Sequence, residues 1–363
     1  VTDRRTDALD RVFTTFIARN PGSSAVLAVE SLDGSFSWRG GHGTRSARSD
    51  EPFTADDPYF LASATKLFVT AMTMQLVDEG QLLLDAPVVR SLPAGAIDGV
   101  HVLDGRDRTA EITVRHLLSH TSGLADYLED RQSDRRVLLD DITAAGGDQR
   151  WSRADILEIN RQRTTPKFAP GTRRAHYSDT NFQILGLLIE AITEAPFEEN
   201  LRQRICTPLG LTSTHLFGTG SAPGYDEIAT MRIRTEPLRI PLAMASVTED
   251  GGMVSSADDS IMFLRAFFTG QLFPEHLLGE MQRTWRRVFF PLEYGVGLMR
   301  FRLPRLLSPF GRPPTLVGHS GVNGALMFYE PNLGVVVAGT VNQLQPRSLS
   351  YRLMLSAVQA AAG

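Results

Sequence analysis

Lysine is nearly missing from this chain. Of 37 basic residues only two are lysine, Lys66 and Lys167, and arginine carries the rest of the positive charge. Arginine does not release its proton in proteins. Any chemistry that needs a deprotonated amine therefore falls on two positions. Cysteine is as scarce: Cys206 stands alone, which excludes an internal disulfide and reads as a buried apolar filler. No uninterrupted apolar run approaches the ~18 residues of a membrane span, so no integral membrane segment is expected. The formal net charge is −4, and nothing in it points to nucleic acid as a partner. The eight histidines show no His-x-x-x-His or Glu-paired spacing, so neither a metal nor any other cofactor is expected. Internal repeats and low-complexity segments are absent as well. What remains is an ordinary globular composition, 42% hydrophobic and 21% charged over 363 residues, with room for one large domain or two coupled ones.

Against that background Leu61-Ala62-Ser63-Ala64-Thr65-Lys66-Leu67-Phe68 stands out. Ser63 precedes Lys66 by three positions at the head of an apolar helix, and residues i and i+3 of a helix share a face. Both side chains can then point into one pocket. A serine hydroxyl is a weak nucleophile until a neighbouring base takes its proton, and an amine of lowered pKa can do so. The alternative is a surface lysine on an amphipathic helix; the rarity of lysine elsewhere favours chemistry at Lys66.

In chain order, residues 6–18 have apolar residues at helical spacing. Residues 24–31 and 35–40 read as strands joined at Asp33-Gly34. The Ser63 helix runs to Glu79 and ends at Gly80. Further helices are expected over 113–119, 154–160, 178–194 and 197–206. Strand signals return at 251–256, then over 294–301, 316–320, 325–329 and 335–341, with turns such as Pro331-Asn332-Leu333-Gly334 between them. Helices follow Ala257-Asp258-Asp259 and close the chain at 348–362. The expectation is an α/β chain of the α+β type. Residues 1–66 and 216–363 form an antiparallel sheet flanked by terminal helices, residues 67–215 form an inserted, mainly helical domain, and the active site lies in the cleft between them.

Three more clusters suit serine acyl transfer. Tyr177-Ser178-Asp179 offers a tyrosine whose phenol pKa a nearby lysine can lower, making it a general base. Gly318-His319-Ser320-Gly321 lies on an expected strand where small residues admit a substrate backbone. Gly251-Gly252 can shape a turn at the pocket floor. With Leu76-Val77-Asp78-Glu79-Gly80, His116-Leu117-Leu118-Ser119-His120-Thr121-Ser122-Gly123, Phe168-Ala169-Pro170-Gly171 and Gly251-Gly252-Met253-Val254-Ser255, these form an ordered set. Over about residues 10–355 it resembles the serine β-lactamase and D-alanyl-D-alanine carboxypeptidase superfamily. The likeness is to its class C-like branch, which includes esterases and D-amino-acid peptidases. Ser63-Ala64-Thr65-Lys66 matches the first motif, Tyr177-Ser178-Asp179 sits where that family has Tyr-x-Asn, and His319-Ser320-Gly321 where it has Lys-Thr-Gly or His-Thr-Gly.

The resemblance implies a β-lactamase/transpeptidase-like fold and a serine hydrolase. Ser63 would be the nucleophile, Lys66 and Tyr177 would share the proton transfers, and the N–H groups of Ser63 and Val322 would form the oxyanion hole. Asp179, His319, Ser320 and Gly321 would bind substrate, with the segment from His319 to Val322 taking it as an added strand. The partner implied is a small-molecule or short-peptide ester or amide, and the location is secreted or periplasmic. Two departures bear on activity. Asp179 replaces an asparagine; a carboxylate accepts hydrogen bonds but cannot donate to a substrate amide, and it holds Lys66 protonated. His319 replaces a lysine, and a histidine is mostly neutral at pH 7, so it recognises a substrate carboxylate less strongly. Both favour an esterase or D-amino-acid-type peptidase over a β-lactamase. The competing reading is a non-hydrolytic penicillin-binding or sensor protein that retains the fold.

Other residues read more plainly. His120 is expected to be a structural, backbone-bonding histidine, and His176 a neighbour of Tyr177. Arg347 is expected to be a solvated arginine, with a carboxylate contact as its sharper alternative. Arg283, Arg286, Arg287, Arg300, Arg302, Arg305 and Arg312, interleaved with Phe289, Phe290, Phe301 and Phe310, read as a strand pair with a solvated outer face, with a membrane or anionic-ligand surface as the alternative.

Overall fold

The run Ala25–Ser31 is apolar almost throughout because both of its faces are covered. This strand, β1, lies inside an eight-stranded antiparallel sheet. The other strands are β2 (Ser37–His42), β3 (Arg286–Phe289), β4 (Leu292–Tyr294), β5 (Met299–Arg302), β6 (Thr315–Ser320), β7 (Ala325–Glu330) and β8 (Val335–Thr340). Their spatial order is β3-β4-β5-β6-β7-β8-β1-β2. Strands from opposite ends of the chain thus meet side by side, with Val26 opposite Thr340 and Ser31 opposite Val335. The computed structural model describes residues 4–48, 50–220, 223–303 and 314–363. Arg305, Phe310 and Arg312 lie outside the described residues.

Alternation along β1 sends Ala25, Leu27 and Val29 to one face of the sheet and Val26 and Ala28 to the other. On the first face α1 (Arg4–Arg19) contributes Leu9, Phe13 and Phe16, and the closing helix contributes Leu353, Met354 and Val358. The second face meets α2 (Lys66–Asp78), α3 (Thr180–Thr193) and α4 (Ala257–Phe268), and the closing helix is α5 (Ser348–Ala361). The core on that second face is continuous from Val26 and Val336 of the sheet to Leu117 and Leu188 of the helical section.

Two expectations change. The run 294–301 is not one strand. Gly295 and Gly297 turn the chain, so β4 ends at Tyr294 and β5 starts at Met299. The arginine-rich stretch before it then supplies a third strand, β3, instead of a simple pair. Gly297 has φ +70°, and a Cβ there would lie 2.2 Å from a Thr70 methyl. Its N–H donates to Leu118 and its carbonyl accepts from the Thr70 hydroxyl. This turn therefore docks directly on α2, one turn beyond Lys66. Gly297→Ala should destabilise the fold by more than about 1 kcal/mol, since strain and a steric overlap coincide. A lowered urea midpoint with unchanged m-value would show it.

Candidate functional site

The chain enters α2 through a 3-10 turn, Ala62–Thr65. In a 3-10 turn side chains at i and i+3 eclipse, so Ser63 and Lys66 lie on one side more closely than α-helical spacing would place them. Ala62, immediately before the serine, has φ +45°, a conformation that non-glycine residues adopt only when their surroundings enforce it. Gly321 sits opposite: a Cβ on it would lie 2.4 Å from the Leu61 carbonyl. The turn after β6 is pinned by Asn323, whose amide donates to the Phe60 carbonyl at 2.6 Å and whose Oδ1 accepts from Ala325 N–H. Val322 is thereby held beside Ser63, and both line one cavity of about 300 Å³ with Tyr177, Ser320 and Gly321. β5 pairs with β6 only as far as Gly318, short of Ser320 and Gly321 at the cavity.

The Tyr177 phenol lies within electrostatic reach of the Ser63 hydroxyl. Behind the pair, Lys66 is fully buried. Its amine lies 2.6 Å from Asp179 Oδ1 and donates to the Asp250 carbonyl at 2.6 Å. It also sits 5.3 Å from the centre of the Tyr177 ring. Burial works against the lysine's charge, but Asp179 and then Asp250 outweigh it, and the net effect raises its pKa. The Tyr177 phenol is pushed well above the usual tyrosine value, first by its packed surroundings and then by the Asp179 carboxylate. The expectation that Lys66 lowers this phenol's pKa is thus reversed, because burial and then Asp179 act the other way. The Asp250 carboxyl accepts from Tyr127 and Gln183 at 2.9 and 3.0 Å. Burial, then Asp179, raises the pKa of Asp250 and equally that of Asp126.

His319 is placed differently from the expectation that it meets a substrate carboxylate. Alternation along β6 turns Ser320 to the cavity and His319 into the core. Its Nδ1 faces the Ser320 carbonyl at 2.9 Å and so carries the proton. Nε2 then accepts from the Tyr294 hydroxyl at 3.0 Å. Burial and then Lys66 lower its pKa to about 3. Asp179 likewise faces Lys66 and not the cavity lining. His120 Nδ1 accepts from the Ser178 N–H and the Asn181 amide, at 3.1 and 3.0 Å. Its ring lies against that of Tyr177, 4.4 Å between centres, so a backbone-bonded histidine also seats the phenol. Arg347 lines the cavity with its guanidinium 3.2 Å from Glu129. Cys206 is buried and free. Among the described residues no group of three His, Cys, Asp or Glu side chains is arranged to hold a metal, and no helix is long and apolar enough to cross a membrane.

The loops 120–150 and 281–313, which the sequence marks as shaping the pocket, do line it through Glu129 and the Phe289–Leu292 turn, whereas sequence reasoning missed Tyr294, Asn323 and Asp250. Asp250 had a local signal, since it precedes Gly251-Gly252. The rest reach the site through tertiary contacts that no spacing announces.

A family model described as Beta-lactamase matches residues 9–361. The chain belongs to the beta-lactamase family. Within the family, the chain is 32% identical over 202 residues to monacolin J acid methylbutanoyltransferase of Aspergillus terreus, covering 52% of this chain and 46% of that protein. The chain thus spans about half the length of the transferases it matches. It is 27% identical over 302 residues to esterase EstB of Burkholderia gladioli, covering 76% of this chain and 73% of the esterase. A solved D-stereospecific amidohydrolase from Streptomyces sp. superposes with TM-score 0.71 at 28% identity, covering 93% and 94% of the two chains. The family's relatives here are serine hydrolases and acyltransferases.

The buried neutral His319 makes a stability prediction. Its folded pKa lies below the ~6.5 of an unfolded histidine, so the unfolded chain binds the extra proton first. The stabilisation is complete above pH ~6.5 and is lost as pH falls towards the folded value, at up to about 1.4 kcal/mol per pH unit. Urea midpoints between pH 7 and pH 5 should fall, and His319→Gln should fall less steeply.

Proposed function

We propose that this protein is a serine hydrolase that acts on an ester or amide through an acyl-enzyme at Ser63, as an esterase or D-amino-acid-type peptidase with weak or absent β-lactamase activity. The observation that carries the reading is Ser63 and Tyr177 facing one cavity in front of the buried Lys66–Asp179 pair. Ser63 Oγ attacks the carbonyl carbon as its proton passes to Tyr177, which must first be ionised. The Lys66 ammonium offsets the phenolate charge. The oxyanion lies between the N–H groups of Ser63 and Val322, donors of a kind worth about 10²–10³ each in rate. Tyr177 then returns the proton to the leaving alkoxide or amine, and water releases the acyl group by the same route. Ser320 and Gly321 bind substrate beside the free edge of β6. Asp179 acts as a positioning residue that fixes Lys66.

A second reading replaces water by an alcohol in the last step. It is favoured by the acyltransferase names among the relatives. Product analysis with added alcohol separates the two.

Incubation with a fluorophosphonate should add one label by intact mass, lost in Ser63→Ala; an unlabelled wild type would sink the acyl-enzyme reading. A penicillin adduct that persists without turnover would favour a penicillin-binding or sensor role instead. The pH profile tests the proton assignment. Asp179 raises the pKa of both Lys66 and Tyr177, so the active form of the wild type accumulates as pH rises above neutral. In Asp179→Asn the ascending limb of kcat/KM should move to lower pH, while its plateau drops. A limb that stays in place would show that the carboxylate does not govern the base.

A further inference from the structure

One wall of the cavity takes no part in the proton transfers. It is the turn between β3 and β4, Phe289, Phe290, Pro291 and Leu292, faced by Met299 and Tyr351. Phe289 and Phe290 are 47% and 59% exposed. They are the two large exposed aromatic side chains among the described residues, and both border this one cavity. Exposed apolar side chains scattered singly are unremarkable, but a contiguous pair at a cleft marks a binding surface. Phe289 meets the edge of the Tyr177 ring at 5.8 Å between centres, so the turn abuts the phenol beside Ser63.

The charges on the lining point the same way. Among the described lining residues only Glu129 and Arg347 are charged, and they face each other at 3.2 Å. Lys66 is enclosed with Asp179, and His319 is neutral and turned into the core. The cavity therefore presents apolar surface and no uncommitted charge. At about 300 Å³ it sits at the small end of the ~300–1,000 Å³ of ligand pockets.

Resting on the acyl-enzyme reading above, we infer that the substrate is an ester or amide whose substituent flanking the scissile bond is uncharged, apolar and of medium length, and that the Phe289–Leu292 turn receives it. A carboxylate-bearing substituent is disfavoured, because it would leave water without an unpaired cation to meet.

The test uses the full chain with two ester series, p-nitrophenyl esters of increasing acyl length and n-alkyl acetates of increasing alcohol length. In one series kcat/KM should climb by about fourfold per methylene until the cavity is filled; the series that climbs identifies the flank. A p-nitrophenyl hemisuccinate should react about tenfold more slowly than the butyrate of similar length. Phe290→Ala should flatten the climb by about tenfold in the ratio of hexanoate to acetate, or of hexyl to ethyl. Glu129→Gln, which leaves Arg347 without its carboxylate, should narrow the hemisuccinate gap by about threefold. Rates indifferent to length in both series, or a climb that Phe290→Ala leaves intact, would overturn the inference. Labelling by short- and long-chain alkyl fluorophosphonates reads the same preference without turnover. If Ser63 takes neither reagent, the acyl-enzyme reading itself falls. If it takes both at equal rates, only the apolar subsite does.

Discussion

The contact on which the site depends is the buried pair Lys66–Asp179. An ammonium ion removed from water is costly, and its partner's attraction offsets that cost only with good geometry and further hydrogen bonds. Here the 2.6 Å contact supplies the attraction, and the Asp250 carbonyl accepts a hydrogen bond from the ammonium. Removing one partner alone would strand a buried charge at about 3–5 kcal/mol. An apolar pair of equal volume would fold as well, so stability does not explain the charges. Their consequence is electrostatic: after burial, the Asp179 carboxylate is what makes the Tyr177 phenol hold its proton beside Ser63.

Everything around the pair restricts movement. The 3-10 entry to α2 and the positive φ of Ala62 aim the serine. Asn323 ties the turn after β6 to Phe60, and the Gly297 turn leans on Thr70. His120 lies against Tyr177 while its Nδ1 is occupied by Ser178 and Asn181. Each link is anchored on backbone or on a buried side chain, so the arrangement exists before any substrate arrives, the condition under which oriented dipoles act most strongly.

Much of this was legible in the sequence where chemistry is local. Ser63, Lys66 and Tyr177 announced themselves by ordered motifs and by the rarity of lysine. The strands at both ends announced themselves by apolar runs, and Gly80 ended its helix as expected. What was not legible is what depends on the environment. The direction of the Tyr177 shift required knowing how deeply its phenol is packed and that Asp179 lies near it. The loss of His319 from the cavity followed from strand register, since a strand's alternate residues face opposite sides. The 294–301 run misled because Tyr294-Gly295-Val296-Gly297-Leu298 keeps apolar strand character while its glycines turn the chain.

The sheet order carries a consequence for how the molecule is made. β1 leaves the ribosome long before β8, its neighbour on one edge. Until Val335–Thr340 emerges, an almost wholly apolar strand has no partner on that edge, the kind of exposed edge that invites association with other chains. Contacts so distant in sequence also close slowly. The native sheet therefore cannot close before β8 has been made, and until then Ser63 has no finished cavity to face.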